Sequence, residues 1–506
     1  MSPSDASAAP RHPTSAPLAS PGPRRRVPRE WKRPFFILLG LGLFLAIWLS
    51  PPWGAAVDLE GKEFVLSREG KLSLALFLLA ATWWVTEVIP IGITAITIGV
   101  VQALLTIRPA RVAFTDFMDP SVWFIFGSLT IGMVFTKTGF TRRLAYKMLS
   151  IVGERTSMIY LGCFLMTAGL TLVMAHTAVA ATVYPLFLAI YALYQEDGRP
   201  TKFGKGLFVG MAFVAGAGSI VTLLGAARGA VAIGFFKEIT GHSISFFELS
   251  YYMFPVGLSM TLILWVFIMF WYRPEKARIP GLRERAQRLY AGLGPISRNE
   301  ILAVVIVVAV IATLSLRSFI PAVGALDKSA VLLTATVLFF LLKVVTLDDL
   351  EGTPWNIVLL FGGAMSIGFC LWQTGAAEWL AVTWLGLFPD APWFLLIMGI
   401  ALFVLLMTNL IMNVAAIAIV LPVALKMAEY VRVAPEVIIF SCLVTAGMPF
   451  LLLVGAAPNA IAYNSKMFTP REFFTAGVPA SLLLMGVLGM FVWVIWPMMG
   501  MPVLVR

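Results

Sequence analysis

Residues 127–139, GSLTIGMVFTKTG, return later in the chain as residues 363–375, GAMSIGFCLWQTG. The two stretches carry glycine, isoleucine and threonine at the same positions, without a gap. Further along, each copy leads to a polar residue inside an apolar run and then to a proline, Pro185 in the first copy and Pro422 in the second. Internal similarity of this kind indicates a fold built from two related halves.

The composition places both halves in a membrane. Of the 506 residues, 59% are apolar and 12% are charged, whereas a soluble domain carries about twice that charge. Apolar runs of about 20 residues recur along the chain, and such a run is long enough to cross a bilayer as a helix. The three cysteines lie inside these runs, so they indicate neither a disulfide framework nor a metal site. The chain is predicted to be an all-α polytopic membrane protein.

Eleven segments have the length and apolar character of transmembrane helices. By residue number they are 34–53, 72–88, 91–106, 122–138, 207–236, 249–271, 301–316, 330–344, 355–372, 437–463 and 476–499. Two further apolar stretches, 158–191 and 392–425, are too long for one span and are interrupted by polar residues, which predicts re-entrant hairpins. Irregular backbone is tolerated at membrane depth only where it is buried in protein or lines a cavity.

These segments divide the chain into a tail, two halves and a linker. In order, they are a disordered basic tail 1–33, a first half 34–272 with the hairpin 158–191 and a broken span 207–236, a basic linker 273–299, and a second half 300–499 with the hairpin 392–425 and a broken span 437–463.

The basic residues predict an orientation. With the tail in the cytoplasm, about two thirds of the 37 Lys and Arg residues fall on inner segments, as the positive-inside rule expects. The net charge of +11 is then explained by loops that face the anionic inner leaflet, and a nucleic-acid partner is not implied. We expect a multi-pass protein of the inner (cell) membrane with a cytoplasmic N-terminus.

The two copies of the repeat begin at the fourth and the ninth predicted spans, an odd step, so the second half is expected to be inverted relative to the first. Transporters of this build bind substrate at mid-membrane, where broken helices present free amides to an anion and free carbonyls to a cation. The broken spans here contain GAARG at 225–229 and GAAPN at 455–459. An anion site flanked by cation sites is therefore predicted. The sequence has no protease-like arrangement of Asp, Ser or HExxH at a plausible depth, which argues against an enzyme.

Three motifs resemble the divalent anion/sodium symporter family. They are WWVTEVIP at residues 83–90, the hairpin tips that lead to Pro185 and Pro422, and the break at Ala457-Pro458-Asn459-Ala460. The resemblance runs from residue 34 to residue 499. It implies a carrier of dicarboxylates, citrate or sulfate that works as a homodimer and moves a transport domain against a scaffold domain like an elevator. It also implies sodium as the coupling ion and no other cofactor.

The family's Ser-Asn-Thr hairpin signature falls on Ala175-His176-Thr177 in the first half and on Met412-Asn413-Val414 in the second. Substrate-binding residues are expected at the hairpin tips and in the broken spans: His176, Thr177, Arg228, Met412, Asn413, Val414, Ala457, Pro458 and Asn459. The sodium ligands implied in the second half are Thr408, Ile411, Asn413 and Gly455. The corresponding first cation site, at Thr171, Ala175 and His176, has lost the family's asparagine and is predicted to be degenerate.

Arg228 stands where the family usually has proline. A guanidinium near the middle of a bilayer costs at least ~2.5 kcal/mol, so it normally faces a partner or a wet cavity. No carboxylate in the same broken span can pair with it, and its planar fork suits a carboxylate or oxyanion. We therefore expect Arg228 in the binding cavity, where it and His176 would replace the charge of a first-site sodium.

The predicted function is sodium-coupled transport of a small anion, most simply a di- or tricarboxylate. Sodium-independent anion exchange and proton coupling stay open, because one of the two cation sites is degenerate. An anion channel is a further alternative, since broken helices also build selectivity filters.

Overall fold

A computed structural model describes residues 32–57, 62–194, 199–387 and 392–505, which are almost entirely helical. Nearly all of the predicted tail lies outside these residues. Within them, the strands are limited to one short antiparallel ribbon, Ala56–Val57 with Glu63–Phe64. Eight of the described helices are long and apolar enough to cross a membrane. The all-α, multi-pass membrane fold is confirmed, while the count of eleven spans stays a prediction.

The first six helices lead from the tail to the first hairpin. They are α1 (Lys32–Leu49), α2 (Arg68–Thr86), α3 (Ile91–Leu104), α4 (Ala110–Thr115), α5 (Pro120–Thr138) and α6 (Phe140–Val152). The Asp119 side chain accepts a hydrogen bond from the Ser121 amide and so caps α5, which starts with Pro120. Helix α5 ends at Gly139, whose φ of 84° turns the chain into the amphipathic α6.

The next helices form the first hairpin, the first broken span and the linker. They are α7 (Thr156–Leu170), α8 (His176–Tyr194), α9 (Lys202–Ser219), α10 (Ala227–Thr240), α11 (Phe246–Trp271) and α12 (Leu282–Gly292). The hairpin range 158–191 thus consists of two helices with a turn between them, and the range 207–236 consists of two helices separated by a non-helical break at residues 220–226.

The second half repeats this order of elements. Its helices are α13 (Arg298–Leu316), α14 (Pro321–Gly324), α15 (Lys328–Leu341), α16 (Leu347–Glu351), α17 (Trp355–Gln373), α18 (Ala376–Leu387), α19 (Trp393–Leu410), α20 (Asn413–Tyr430), α21 (Pro435–Gly447), α22 (Ala457–Tyr463), α23 (Pro470–Met490) and α24 (Trp496–Met498). A π-helical segment, Phe491–Ile495, joins the last two. Helices α5 and α17 carry the repeated stretch, and α19 to α22 match α7 to α10.

The two halves pack crosswise. Helix α10 of the first half lies against α20 and α21 of the second half, and α22 of the second half lies against α8 and α9 of the first. This exchange brings both hairpin tips and both helix breaks to one place. The inversion of one half relative to the other stays a prediction.

Buried ion pairs fix the helices that surround this centre. Arg143 of α6 donates to the Glu300 carboxylate at 2.8 Å and to the carbonyl of Gly294 at 2.9 Å, which joins α6 to the linker and to α13. Arg108 pairs with Asp116 at 2.7 Å and is also bonded to Gln373 of α17. Both guanidinium groups have several acceptors, as a buried charge needs.

Candidate functional site

A cavity of about 810 Å³ lies where the hairpin tips and helix breaks meet. Its inner end is formed by the starts of α8, α10, α20 and α22, and its walls come from α5, α6, α8 and α17. The side chains that line it and that carry the later argument are Leu129, Met133, Thr136, Lys137, Thr141, Arg142, Ala175, His176, Thr177, Thr182, Ile357, Phe361, Met412, Asn413, Val414 and Val454. A volume of this size is typical of a site for a small organic ligand.

Helix N-termini without side-chain caps converge on the inner end. The residues before α10, α20 and α22 are Ala226, Met412 and Ala456, and none of them caps its helix with a side chain. By contrast, α9 and α13 are capped by Thr201 and Ser297. The first turns of α10 and α20 therefore have free N–H groups and the positive end of the helix dipole at the cavity. Such groups favour a negatively charged ligand.

His176 joins the first hairpin tip to the first helix break. Its amide donates to the Gly225 carbonyl at 2.9 Å, and its ring Nδ1 lies 3.3 Å from the same oxygen. Because a carbonyl only accepts, Nδ1 must carry the proton in this contact, and Nε2 of the neutral ring is left as an acceptor. His176 and Thr177 both line the cavity, as predicted from the sequence.

Arg228 lies behind the cavity wall, not in the cavity. Its side chain is 1% exposed, and Nη2 donates to the Ser219 hydroxyl at 2.7 Å. The guanidinium also lies against Gly447, where a Cβ atom would be 2.7 Å from Nη2. Ser219 and Gly447 are the last residues of α9 and α21, so the charge is held between two helix C-termini. Among the described residues, Nη1 has no hydrogen-bond acceptor.

Two further predicted substrate ligands are also directed away from the cavity. Pro458 and Asn459 are buried in α22, and the Asn459 amide donates to the carbonyls of Pro449 and Leu452 at 2.9 and 3.1 Å. Asn459 therefore holds the second helix break in shape. Ala457, Met412, Asn413 and Val414 do line the cavity.

The predicted second cation site gathers oxygen atoms. The Thr408 hydroxyl donates to the Ala446 carbonyl at 3.1 Å, which leaves the lone pairs of the hydroxyl free. Gly455 packs against the Thr408 carbonyl, since a Cβ on Gly455 would lie 2.8 Å from that oxygen. Asn413 is 7% exposed and, like Gly455, lines the cavity. Hydroxyl, carbonyl and amide oxygens are ligands that a small hard cation prefers. Ile411, the fourth predicted ligand, ends α19 with extended backbone.

The first half differs from the second at the hairpin tip. Gly225 packs against the Thr171 carbonyl as Gly455 packs against the Thr408 carbonyl, but His176 stands in place of Asn413. The Thr171 hydroxyl donates to Ala168 within its own helix at 2.6 Å, and Ala175 contributes no polar side chain. The positive charge of Arg228 is nearby, at the end of α9. Groups of three or more His, Cys, Asp or Glu that could hold a metal ion are absent from the described residues.

Sequence reasoning missed two residues that shape the site. The Asn409 side-chain oxygen accepts from the amides of Leu451 and Leu452 at 2.8 and 3.1 Å, which fastens the second hairpin to the second break. The Thr222 hydroxyl donates to the Leu172 carbonyl at 2.7 Å and does the same in the first half. A polar residue in the middle of an apolar hairpin was the available signal for Asn409.

The mouth of the cavity carries the basic residues Lys137 and Arg142. Lys137 forms an ion pair with Asp349 of α16. The hydrogen bond from Lys137 lowers the pKa of the Asp349 carboxyl to about 2. The Lys137 charge is thus largely compensated by a carboxylate, whereas Arg142 is exposed on α6.

The sequence is similar to known transport proteins over most of its length. Residues 62–502 match the family model described as the sodium:sulfate symporter transmembrane region. The sodium-dependent dicarboxylate transporter SdcS of Staphylococcus saprophyticus is 23% identical, with 87% of this chain and 88% of that protein covered. SdcS of Staphylococcus aureus is also 23% identical, with 83% and 84% covered.

Two solved structures share the fold. The YdaH transporter of Alcanivorax borkumensis superimposes with a TM-score of 0.57 at 14% identity, covering 93% of this chain and 98% of that one. MtrF of Neisseria gonorrhoeae gives a TM-score of 0.58 at 11% identity, covering 92% and 95%. At such identities the likeness concerns the fold alone.

Proposed function

The chain belongs to the sodium:sulfate symporter family, and we propose that it is a secondary active carrier that moves a small carboxylate anion together with sodium. The relatives are named as sodium-dependent dicarboxylate transporters, which supports both the carboxylate class and the coupling ion. A catalytic role is not part of the proposal.

One observation carries the proposal most directly. The uncapped starts of α10 and α20 meet at the inner end of a cavity that also holds Thr177 and Asn413. Free amides, a hydroxyl and an amide side chain are donors to a carboxylate, and the helix dipoles add a favourable potential. The anion would bind between the two hairpin tips.

Sodium would bind in the second half only. Thr408, Asn413, Ile411 and Gly455 offer the oxygen atoms, and sodium would place a positive charge beside the anion. In the first half, Arg228 would supply a fixed positive charge at the ends of α9 and α21. The carrier would then couple to fewer sodium ions than two intact sites allow. Proton coupling through His176 and sodium-independent exchange are the alternatives.

The cavity opens on the side where α5 ends and α6 begins. Transport would require the hairpins and broken helices to move together, so that the same site faces the other side of the membrane. We propose an elevator motion in a homodimer for this step, in the inner (cell) membrane, with the N-terminus in the cytoplasm.

The sodium assignment is tested by thermal stability of the purified protein and by uptake into proteoliposomes. Sodium should stabilise the wild type and support uptake of a dicarboxylate such as succinate, while potassium should do neither. Asn413→Ala should raise the sodium concentration for half-maximal effect roughly tenfold or more, because a cation ligand is lost.

Thr171→Ala, set beside Thr408→Ala, is the matched control, since Thr171 holds in the first half the position that Thr408 holds in the second. Thr171→Ala should change the sodium concentration for half-maximal effect by less than about threefold. Equal sodium dependence in the wild type and in Asn413→Ala would remove the second-half site from the proposal. Flux without saturation or counterflow would favour a channel over a carrier.

A further inference from the structure

The cavity has a polar inner end and apolar walls. Leu129 and Met133 of α5, Ile357 and Phe361 of α17, and Met412 and Val414 beside the second hairpin tip line it with carbon atoms. At the tips, Ala175, Met412 and Val414 contribute no hydrogen-bond donor from their side chains. The polar side chains at the inner end are therefore His176, Thr177 and Asn413.

Two hydroxyl groups on the walls formed by α5 and α8 already donate hydrogen bonds. Thr136 donates to the Gly132 carbonyl at 3.0 Å, and Thr182 donates to the Ala178 carbonyl at 2.9 Å. Both bonds lie within a single helix turn, so these side chains present mainly their methyl groups to the cavity. A second carboxylate placed against α5, α8 or α17 would lose its water without gaining donors, which is strongly unfavourable.

The remaining polar groups of the cavity lie toward the mouth. Thr141 and Tyr146 of α6 line it there, and the Thr141 hydroxyl donates to the Phe135 carbonyl at 3.5 Å. Lys137 is paired with Asp349, so its charge is already compensated. Arg142 is exposed on α6, where a contact with a ligand stays in water and contributes little. The cavity therefore has one buried end that suits a carboxylate and a long remainder that suits hydrocarbon.

We propose that the physiological substrate is a monocarboxylate with an apolar body. Its carboxylate binds at the starts of α10 and α20 with Thr177 and Asn413, and its hydrocarbon part packs against Met133, Phe361 and Val414. This inference rests on the proposed function. It differs in the substrate class, which is a monocarboxylate and not the dicarboxylate for which the relatives are named.

The test compares hexanoate with adipate, two six-carbon acids that differ only in the second carboxylate. Affinities are measured by thermal shift and by sodium-driven uptake with the purified full-length chain. Hexanoate should bind roughly tenfold tighter than adipate or better, because the second charge finds no partner. From butyrate to hexanoate, affinity should rise roughly fourfold for each methylene group.

A double variant, Met412→Ser with Val414→Thr, returns hydroxyls to the second tip. The double variant should bind hexanoate more weakly and adipate more tightly than the wild type. The ratio of the two affinities should fall roughly tenfold. Val423→Thr is the control, because Val423 is on the same helix but outside the cavity. It should leave the preference unchanged.

The outcomes separate this inference from the proposed function. Adipate binding as tightly as hexanoate, or more tightly, overturns the inference and leaves a sodium-coupled dicarboxylate carrier. If neither of these acids nor succinate stabilises the protein or is taken up, the proposed function fails and the inference fails with it.

Discussion

We propose that Arg228 takes the part of a bound ion in the first half. Its guanidinium is buried between the C-terminal ends of α9 and α21, where partial negative charge accumulates. A sodium ion at this position would also be favoured by the negative ends of the two helices, but it would have to bind and dissociate in each transport cycle. A covalently attached charge stays in place, so the empty carrier already holds one positive charge near the anion site.

Removal of this charge should weaken anion binding. A unit charge roughly 10 Å from an anion contributes about 1.7 kcal/mol at an effective dielectric constant of about 20. Arg228→Met should therefore lower anion affinity roughly tenfold or more, as measured by titration with thermal shift at saturating sodium. Arg228→Lys should restore part of the loss, since it keeps the charge without the planar fork.

Ser219→Ala is the control for this prediction. It deletes the hydrogen-bond acceptor of Nη2 and keeps the charge, so anion affinity should stay within about threefold of the wild type. If Arg228→Met binds anion as tightly as the wild type, the arginine has a packing role alone.

Sequence could identify the polar residues of the site but not the direction of their side chains. Arg228 was expected in the cavity because it is charged and lies in a break. In the structure, α10 begins at Ala227, and Ala226 and Ala227 face the cavity. One residue further is a rotation of about 100°, which turns Arg228 toward the ends of α9 and α21. That rotation depends on where the helix starts, and a sequence gives the start only to within a residue or two.

At the scale of elements, glycines set how closely the hairpins approach the broken helices. Gly218 of α9 faces the end of the first hairpin, where an added Cβ would lie 2.2 Å from the Thr171 hydroxyl and 2.6 Å from the Ala168 Cα. No side chain fits at that distance. The sequence revealed Gly218 as part of a broken span, but its partner on α7 is a tertiary contact that no local pattern specifies.

Gly218→Ala should force α7 away from α9. Overpacking of this kind costs about 1 to 3 kcal/mol, and here one of the clashing atoms is backbone, which adjusts poorly. The expected result is a lower thermal midpoint of the purified protein without ligand. Gly169→Ala, on α7 itself, is the matched control, because a Cβ there meets nothing within 4 Å. A midpoint for Gly218→Ala equal to that of Gly169→Ala would contradict the close packing of this hairpin.

For the whole molecule, the repeat between residues 127–139 and 363–375 was the strongest predictor. The repeat predicted the positions of α5 and α17. The polar residues that interrupt the later apolar runs predicted the positions of both hairpins and both breaks. The apolar runs gave helices whose ends differ from the predicted spans by a few residues. The crosswise packing of α10 with α20 and of α22 with α8 could not be predicted, because it depends on shapes of surfaces that are far apart in the chain.

The orientation in the membrane is the remaining property of the whole chain, and two cysteine substitutions test it. Arg285 is exposed on α12 and Ala325 is exposed after α14, at opposite ends of α13. The native cysteines, Cys163, Cys370 and Cys442, are buried, so they give little background. With a cytoplasmic N-terminus, an impermeant maleimide should label Ala325→Cys in intact cells and label Arg285→Cys only after permeabilisation. Because α12 packs against α6, which lines the mouth of the cavity, this result would also mean that the cavity opens to the cytoplasm. The reverse labelling would place the basic linker outside and contradict the predicted orientation.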